Sequence, residues 1–427
     1  MKLQPKDERI QRFLLHHLRA VLYRWDQVSD PRARRGRRWT LATLLTTALW
    51  GMLTACRTLR DVEALTQEMK QTGRQFVPRR VPDSTLYEVL PRLDPEQLRG
   101  QLRWQAHHLW RSKSVDPAGL PCGVASVDGK QIATLGHDGG GYAQKAHRAH
   151  DESPYWQCRV LRAVLTSAVA RPCLDQQVVP PKTNEMGAFG DFFRALHQPC
   201  GALFEIVTVD AGMTSKDNAD LVHGAHKGYV MALKDNQPEL RAEAQRLLES
   251  LLSQEPLAQT GWERAKGKLV RRRLYRTLEI AGYHGWPHLR QAWLVRQETR
   301  DPSVPDGPIT IEDRYFLTNL TKGRLSPEQI LRVVRGHWGI ENDCFWSLDA
   351  QFGEDDRPWC SQGRAAENLG LLRLMAYNLL QLARKRHLRP RREIGGGEDP
   401  PAWRRLFEWV RQALRLPLLP AVVPGAG

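Results

Sequence analysis

The sequence predicts an α/β protein, a mixed sheet layered with helices, preceded by an all-helical region and interrupted by a β-rich stretch. Three observations carry this. Residues 1–117 show helical periodicity and helix-start signals without a strand pattern. From residue 120, apolar β-rich runs alternate with helical stretches. Between 237 and 325, one polar helix is followed by several segments of alternating polarity.

In the helical region, residues 39–56 run for 18 positions without a charge. Five threonines and a glycine in that run point to a buried core helix instead of a membrane span. Asp94-Pro95-Glu96-Gln97 starts another helix, with a capping Asp, Pro at the first helical position and Gln97 set to return the capping bond. Short helices are expected upstream, around a turn at Gly73 and Pro78. Residues 84–93 are open to two readings, the groove-entering helix of a helix-turn-helix or part of a plain bundle with a basic exterior.

The expected strands lie in GVASVDGKQI (123–132), ending at Asp128-Gly129, and in CRVLRAVLTSAVA (158–170), DQQVVPPKTNEM (175–186), LFEIVTVDAG (203–212) and GYVMALK (228–234). Helices are expected at 188–196 and 215–225. The stretch 237–325 opens with the helix ELRAEAQRLLESLL and continues with KLVRRRLYRTLEI, QAWLVRQET and ITIEDRYFLTNL. Ser326-Pro327-Glu328-Gln329 is a second capped helix start. A long apolar helix follows at 365–386, and residues 391–427 read as a linker with one amphipathic helix. The divisions that result are 1–117, 118–236, 237–325, 326–390 and 391–427.

Composition bounds the function. Lys and Arg number 63 against 47 Asp and Glu, a formal charge of +16, and 49 of the 63 cations are Arg. Arg grips phosphate through a planar fork of donors, so the excess points to nucleic acid or another polyanion. Hydrophobic residues at 41% and charged residues at 26% exclude a disordered, collagenous or polytopic membrane protein. Seven scattered cysteines without a C-x-x-C argue against a disulfide framework and a structural zinc site, and for a reducing compartment. The charged start MKLQPKDERI lacks the apolar region of a secretory signal. A cytoplasmic location without a membrane partner is expected.

Three acids stand out. Asp128 is expected at the end of an apolar strand where Gly129 turns the chain, and Asp210 repeats that arrangement after IVTV. Glu341 is placed on a helix by Phe345 and Leu348 at i+4 and i+7. Carboxylates at strand ends face the crevice where ligands bind in α/β sheets. Oxygen ligands from three separate elements suit Mg²⁺, and two such ions can drive an in-line attack on phosphate. Taken singly, each Asp reads as a turn or helix cap. Asp343, Asp349, Glu354, Asp355 and Asp356 rival Glu341, and that cluster reads equally as a solvated acidic face.

VDGK at 127–130, KTNEM at 182–186, TVDAG at 208–212, YVMALKDNQ at 229–237 and RGHWGIENDCFWSLDAQFGED at 335–355 resemble the DDE transposases of bacterial insertion sequences, in their H-repeat-associated branch. Residues 30–65 and 366–380 resemble that branch's N-terminal region and closing helix, so the likeness spans about 28 to 385. The resemblance implies a ribonuclease-H-like core split by a β-rich insertion between the second and third acids. It implies Asp128, Asp210 and Glu341 as the catalytic, metal-binding triad, with Mg²⁺ in two sites and Mn²⁺ as a substitute. It implies an enzyme that cuts double-stranded DNA at element ends and joins the freed 3′-hydroxyl to target DNA, as a homodimer when two ends are synapsed. A catalytically idle DNA-binding derivative and a plain metal-dependent nuclease are the alternatives. Lys234, Asn236, Arg335, His337 and Asn342 are the expected DNA contacts. His337 and Leu348 stand where broader relatives carry Arg and Lys.

Other features have plainer readings. His137, His147 and His150 with Asp138 and Asp151 lie in a Gly-rich loop that lacks zinc-ligand spacing and reads as a mobile loop touching DNA or solvent. Glycines 139–141 lack the Lys-Ser/Thr of a phosphate loop. Trp338, Phe345 and Trp346 read as core. The basic run 384–392 reads as a solvated face or a DNA-backbone contact.

Overall fold

The computed structural model describes residues 24–415 except 36, 70–73, 75–76, 149, 284, 287, 305–306, 356–358 and 388–400, with Glu8, Arg12, Phe13 and His16 ahead of them. The turn expected at Gly73, Asp356, the end of the 384–392 run and the glycines at 395–397 lie outside the described residues.

Among the described residues, the first α-helices with full bounds are α1 (Leu41–Leu53), α2 (Leu59–Glu68), α3 (Asp83–Val89) and α4 (Pro95–Arg111). Thr40 caps α1 through the amide of Thr43, and nearly all of α1 is buried. That burial explains its lack of charge. Among the described residues no helix is long and apolar enough to cross a membrane. Asp94 caps α4 through the Glu96 amide, with Pro95 first in the helix. Gln97 does not complete the capping box. Its side chain reaches back 68 residues, accepting from the Ser29 amide at 2.7 Å and donating to Ser29 Oγ at 3.3 Å. A long-range partner displaced the local one.

Of residues 84–93, Leu86, Val89, Leu90 and Leu93 are buried; helix α3 is seven residues long, its Asp83 pairs with Arg60, and Glu88 is exposed. Beyond it, the carbonyls of Leu90 and Leu93 accept from buried Asn368.

Among the described residues, eleven strands form one sheet. They are β1 (Val124–Leu135), β2 (Gln144–His147), β3 (Pro154–Leu165), β4 (Cys173–Val178), β5 (Ile206–Val209), β6 (Gly228–Leu233), β7 (Ala258–Gln259), β8 (Glu263–Ala265), β9 (Lys268–Thr277), β10 (Gln291–Arg300) and β11 (Thr310–Thr318). The order is β2-β3-β1-β5-β6-β11-β10-β9-β7, with β4 also on β3 and β8 also on β9. Strands β1, β5 and β6 are parallel, and the flanking pairs are antiparallel. The β-rich stretch therefore continues the central sheet through β11 on β6.

Between the strands lie α5 (Glu185–Cys200), α6 (Lys216–Gly224) and α7 (Pro238–Glu249). Phe189, Phe192 and Phe193 of α5 share one core with Val127, Val207 and Val209. The opposite face carries α8 (Pro327–His337), with α9 (Trp346–Phe352) reaching it through the Asp349–Lys130 pair and α10 (Gly363–Leu382) through Ala366 beside Ile132 and Val160. Helix α8 starts with a complete capping box between Ser326 and Gln329. Between α8 and α9, residues Ile340–Phe345 form a π-helical turn, wider than an α-helix. Helix α11 (Trp403–Arg415) sets Trp403 and Phe407 against Phe352. All seven cysteines are buried free thiols.

Candidate active site

The register of two parallel strands builds the site. Ala125, Ser126 and Val127 of β1 stand level with Val207, Thr208 and Val209 of β5, so Asp128 and Asp210 come next along the two neighbouring strand paths. Strand spacing of about 4.8 Å then makes the two carboxylates neighbours. Asp128 lies within β1, which runs on to Leu135 opposite β3, so the sharp turn expected after it is absent. The antiparallel pairing with β3, a long-range partner, extends the strand through Gly129. Asp210 does end its strand, and Oδ1 accepts from the Met213 amide in a short 3-10 turn.

Alternation along β1 sends Ser126, Asp128 and Lys130 to the face covered by α8 and α9. At the first level, Thr166, Ser126, Thr208 and His337 form a buried chain of hydrogen bonds at 2.7, 2.7 and 2.9 Å. At the last level, Lys130 pairs with Asp349, and both Lys130 and Arg162 approach the ring of Phe345. Glu341, in the π-helical turn, is close enough to act electrostatically on Asp128.

Asp128 is buried, and desolvation with the charges of Asp210, Glu341 and Glu185 pushes its pKa up to about 8. Such crowding of acids without a cation is what a divalent metal relieves, and the oxygen donors suit a hard ion. Among the described residues no three His, Cys, Asp or Glu groups stand close enough to grip an ion as they are. Glu341 is exposed and its carboxylate makes no ion pair among the described residues. Its neighbours differ: Asp343 pairs with Arg171 and Lys385, and Asp349 pairs with Lys130. Glu354 is fully buried, holding Arg162 through two bonds of 2.7 Å, with Gln176 accepting from the same guanidinium. The solvated acidic face expected for this cluster is therefore corrected at Glu354, where a buried Arg demands a counter-charge.

The expected DNA contacts divide. His337 is buried, bonded to Thr208, and desolvation lowers its pKa to about 4, so it is a neutral support of the floor and no phosphate contact. Asn236 donates both amide hydrogens to the carbonyls of Ala211 and Thr214, at 2.8 and 3.0 Å, leaving neither for phosphate. It ties the loop after β6 to the loop that carries Asp210. Lys234 is exposed. Asn342 is exposed and donates to the Trp338 carbonyl. Arg335 pairs with Glu263 at 2.7 Å. Trp346 is 56% exposed, contrary to the core reading, whereas Phe345 is buried.

The sequence reading missed Glu185. It is the first residue of α5, behind the capping Asn184, and pairs with Arg159. A Cβ on Gly129 would fall 1.9 Å from its Oε1, so only glycine lets this acid approach the strand. Its signal was the KTNEM run. The Gly-rich loop is held down: the amides of Gly141, Tyr142 and Ala143 donate to the Asp138 carbonyl, and the Gly363 amide donates to Gly139.

Comparison with known proteins follows this geometry. The family model described as "Transposase DDE domain" matches residues 123–379, and one described as "DDE_Tnp_1-associated" matches 22–105. A Xanthobacter autotrophicus protein named "Uncharacterized protein in dhlA 3'region" is 26% identical over 310 residues, covering 70% of this chain and 93% of its own length. The Escherichia coli K12 protein named "H repeat-associated putative transposase YhhI" is 25% identical over 215 residues, covering 47% of this chain. The chain spans about half the length of that relative, 52%. A solved piggyBac transposase synaptic complex with hairpin DNA aligns over 97% of this chain and 86% of its own, at 13% identity and TM-score 0.42.

Proposed function

The chain belongs to the transposase DDE domain family, and from that premise we propose that it cuts insertion-sequence ends and joins the 3′-hydroxyl to target DNA. One observation carries the reading. Asp128 and Asp210 are level on adjacent parallel strands, Glu341 acts on Asp128 from the covering π-helical turn, and the acids next to Glu341 are taken up by Arg and Lys. We read 118–236 and 326–390 as the two parts of a ribonuclease-H-like core and 237–325 as its insertion, with 1–117 contributing to DNA binding.

In this reading Asp128, Asp210 and Glu341 would hold divalent cations, Mg²⁺ by preference with Mn²⁺ as a substitute. When bound, the metal lowers the pKa of the attacking water or 3′-hydroxyl and stabilises charge on the leaving oxygen. Asp128 is held rigidly by a strand paired on both sides. Asp210 is held by its own 3-10 turn, by Thr214 bonded to the carbonyls of Asp210 and Ala232, and by Asn236. Closing the set falls to Glu341, whose carboxylate is exposed and makes no ion pair among the described residues. The neutral His337 beneath supplies support without competing for a phosphate. One chain per element end, paired in the synapse, completes the scheme.

The test starts with the short inverted repeats that should flank the gene. Duplexes carrying them are incubated with the chain and Mg²⁺, and nicking and strand transfer are followed on gels. Asp128→Asn, Asp210→Asn and Glu341→Gln should each abolish both while leaving DNA binding intact. Full activity in any one of them removes that residue from the triad, and hydrolysis without joining makes the protein a nuclease.

A further inference from the structure

A cluster of arginines beside the acids has no role in that scheme. On the face of the outer strands covered by α8, alternation puts Arg272 of β9 and Arg314 of β11 on the side of Leu274, Val295 and Phe316. Arg335, in the last turn of α8, comes close to Arg272, and both it and Arg314 add like charge there. The Arg272 side chain is 13% exposed, and its Nε and Nη1 find no hydrogen-bond acceptor among the described residues. Arg314 stacks 4.2 Å from the ring of Trp338, three residues ahead of Glu341, and Glu312 accepts from it at 2.7 and 2.8 Å.

Among the described residues one carboxylate, that of Glu263 on β8, reaches both Arg335 and Arg272. Its Oε2 is 2.7 Å from Arg335 Nη1 and 3.6 Å from Arg272 Nη1. Glu263 is 37% exposed, on a short edge hairpin whose turn residues Lys266 and Gly267 have positive φ. One carboxylate cannot satisfy two guanidinium groups, whereas a phosphate offers more acceptor oxygens in the geometry Arg prefers. The cluster lies on the face that carries Asp128 and Asp210, where a DNA strand entering the site would pass.

We infer that Arg272, Arg314 and Arg335 clamp a backbone phosphate of the bound DNA strand, and that Glu263 occupies this clamp as an internal stand-in until DNA arrives. The ligand rests on the transposase reading, and the clamp rests on the arginines themselves. Arriving phosphate takes the Arg335 and Arg272 donors and releases the Glu263 side chain to solvent.

The test uses the full chain carrying Asp128→Asn, so that DNA is bound and not cut, with a fluorescent element-end duplex titrated at several salt concentrations. Adding Arg272→Gln, or the more exposed Arg314→Gln, should weaken binding about tenfold and lower the log–log salt slope by about 1. Adding Glu263→Gln should tighten binding, because the clamp no longer neutralises itself. A merely structural Glu263 gives weaker or unchanged binding instead, and that result overturns the inference. So does unchanged affinity and salt slope in a folded Arg272→Gln/Arg335→Gln variant. A parent chain that binds no DNA at low salt overturns the transposase reading with it.

Discussion

Replacing Asp128 by Asn should make the metal-free protein more stable while removing its chemistry. The folded chain holds the Asp128 carboxyl at about pKa 8, against an ordinary 3.8. An acid whose pKa is raised by folding contributes stability at low pH and loses it as pH rises from 3.8 towards 8. At pH 7.5 the difference is about 3.7 units, which at about 1.4 kcal/mol per unit amounts to roughly 5 kcal/mol against the folded state. Asn carries no proton to lose, has nearly the same shape, and keeps an oxygen for the Gly129 amide that now donates to Oδ1 at 2.8 Å. Differential scanning fluorimetry in chelator should place Asp128→Asn roughly 5 °C or more above wild type at pH 8, with the two converging near pH 4. Saturating Mg²⁺ should raise the wild-type Tm and leave the variant's unchanged. A variant that melts at or below wild type at pH 8 in chelator would refute the burial and like-charge crowding of Asp128 on which the metal site is argued.

Other parts of the structure give further expectations. Glu354→Gln should cost about 3–5 kcal/mol in urea unfolding, because it strands the buried Arg162 guanidinium, and Arg162→Met with Glu354→Leu should cost much less. His337, held near pKa 4, keeps the folded chain unprotonated while the unfolded chain takes a proton below about 6.5. Its contribution is therefore lost as pH falls from about 6.5 to 4, up to about 3 kcal/mol, and His337→Asn should flatten the stability profile over that range. Asn236→Ala should lower the cleavage rate about ten- to a hundredfold with little change in DNA affinity or Tm, because it frees the loop that aims Asp210. Trp346→Ala should leave Tm within about 1 °C, since an exposed side chain contributes little to the core.

Local signals located the elements well. Capping residues marked the starts of α4 and α8, and apolar runs marked β5 and β6, because those choices are made by neighbours in sequence. What stayed hidden depends on partners far along the chain. Gln97 bonds Ser29, Glu354 bonds Arg162 and Asn236 bonds the Asp210 loop, and none of these pairings has a fixed spacing. The extension of β1 beyond Asp128 follows from its long pairing with β3, which β1 alone does not announce. Glu185 was visible only as part of a motif, since its approach to Asp128 depends on Gly129 and on where α5 docks. Trp346 reads as core among its aromatic neighbours, yet its side chain lies largely in solvent.

The π-helical turn at Ile340–Phe345 makes the chain's reading frame part of its chemistry. A wide turn holds a residue that a regular α-helix has no room for. Drawing the same residues into the tighter α-helical ladder, with Phe345 and Leu348 still anchored in the core from the C-terminal side, would leave the turn one residue too long. Everything on the N-terminal side would then swing by about 100° around the helix axis, and Glu341 would leave the neighbourhood of Asp128. Regular helical packing and the aim of the third acid thus compete for a single inserted residue.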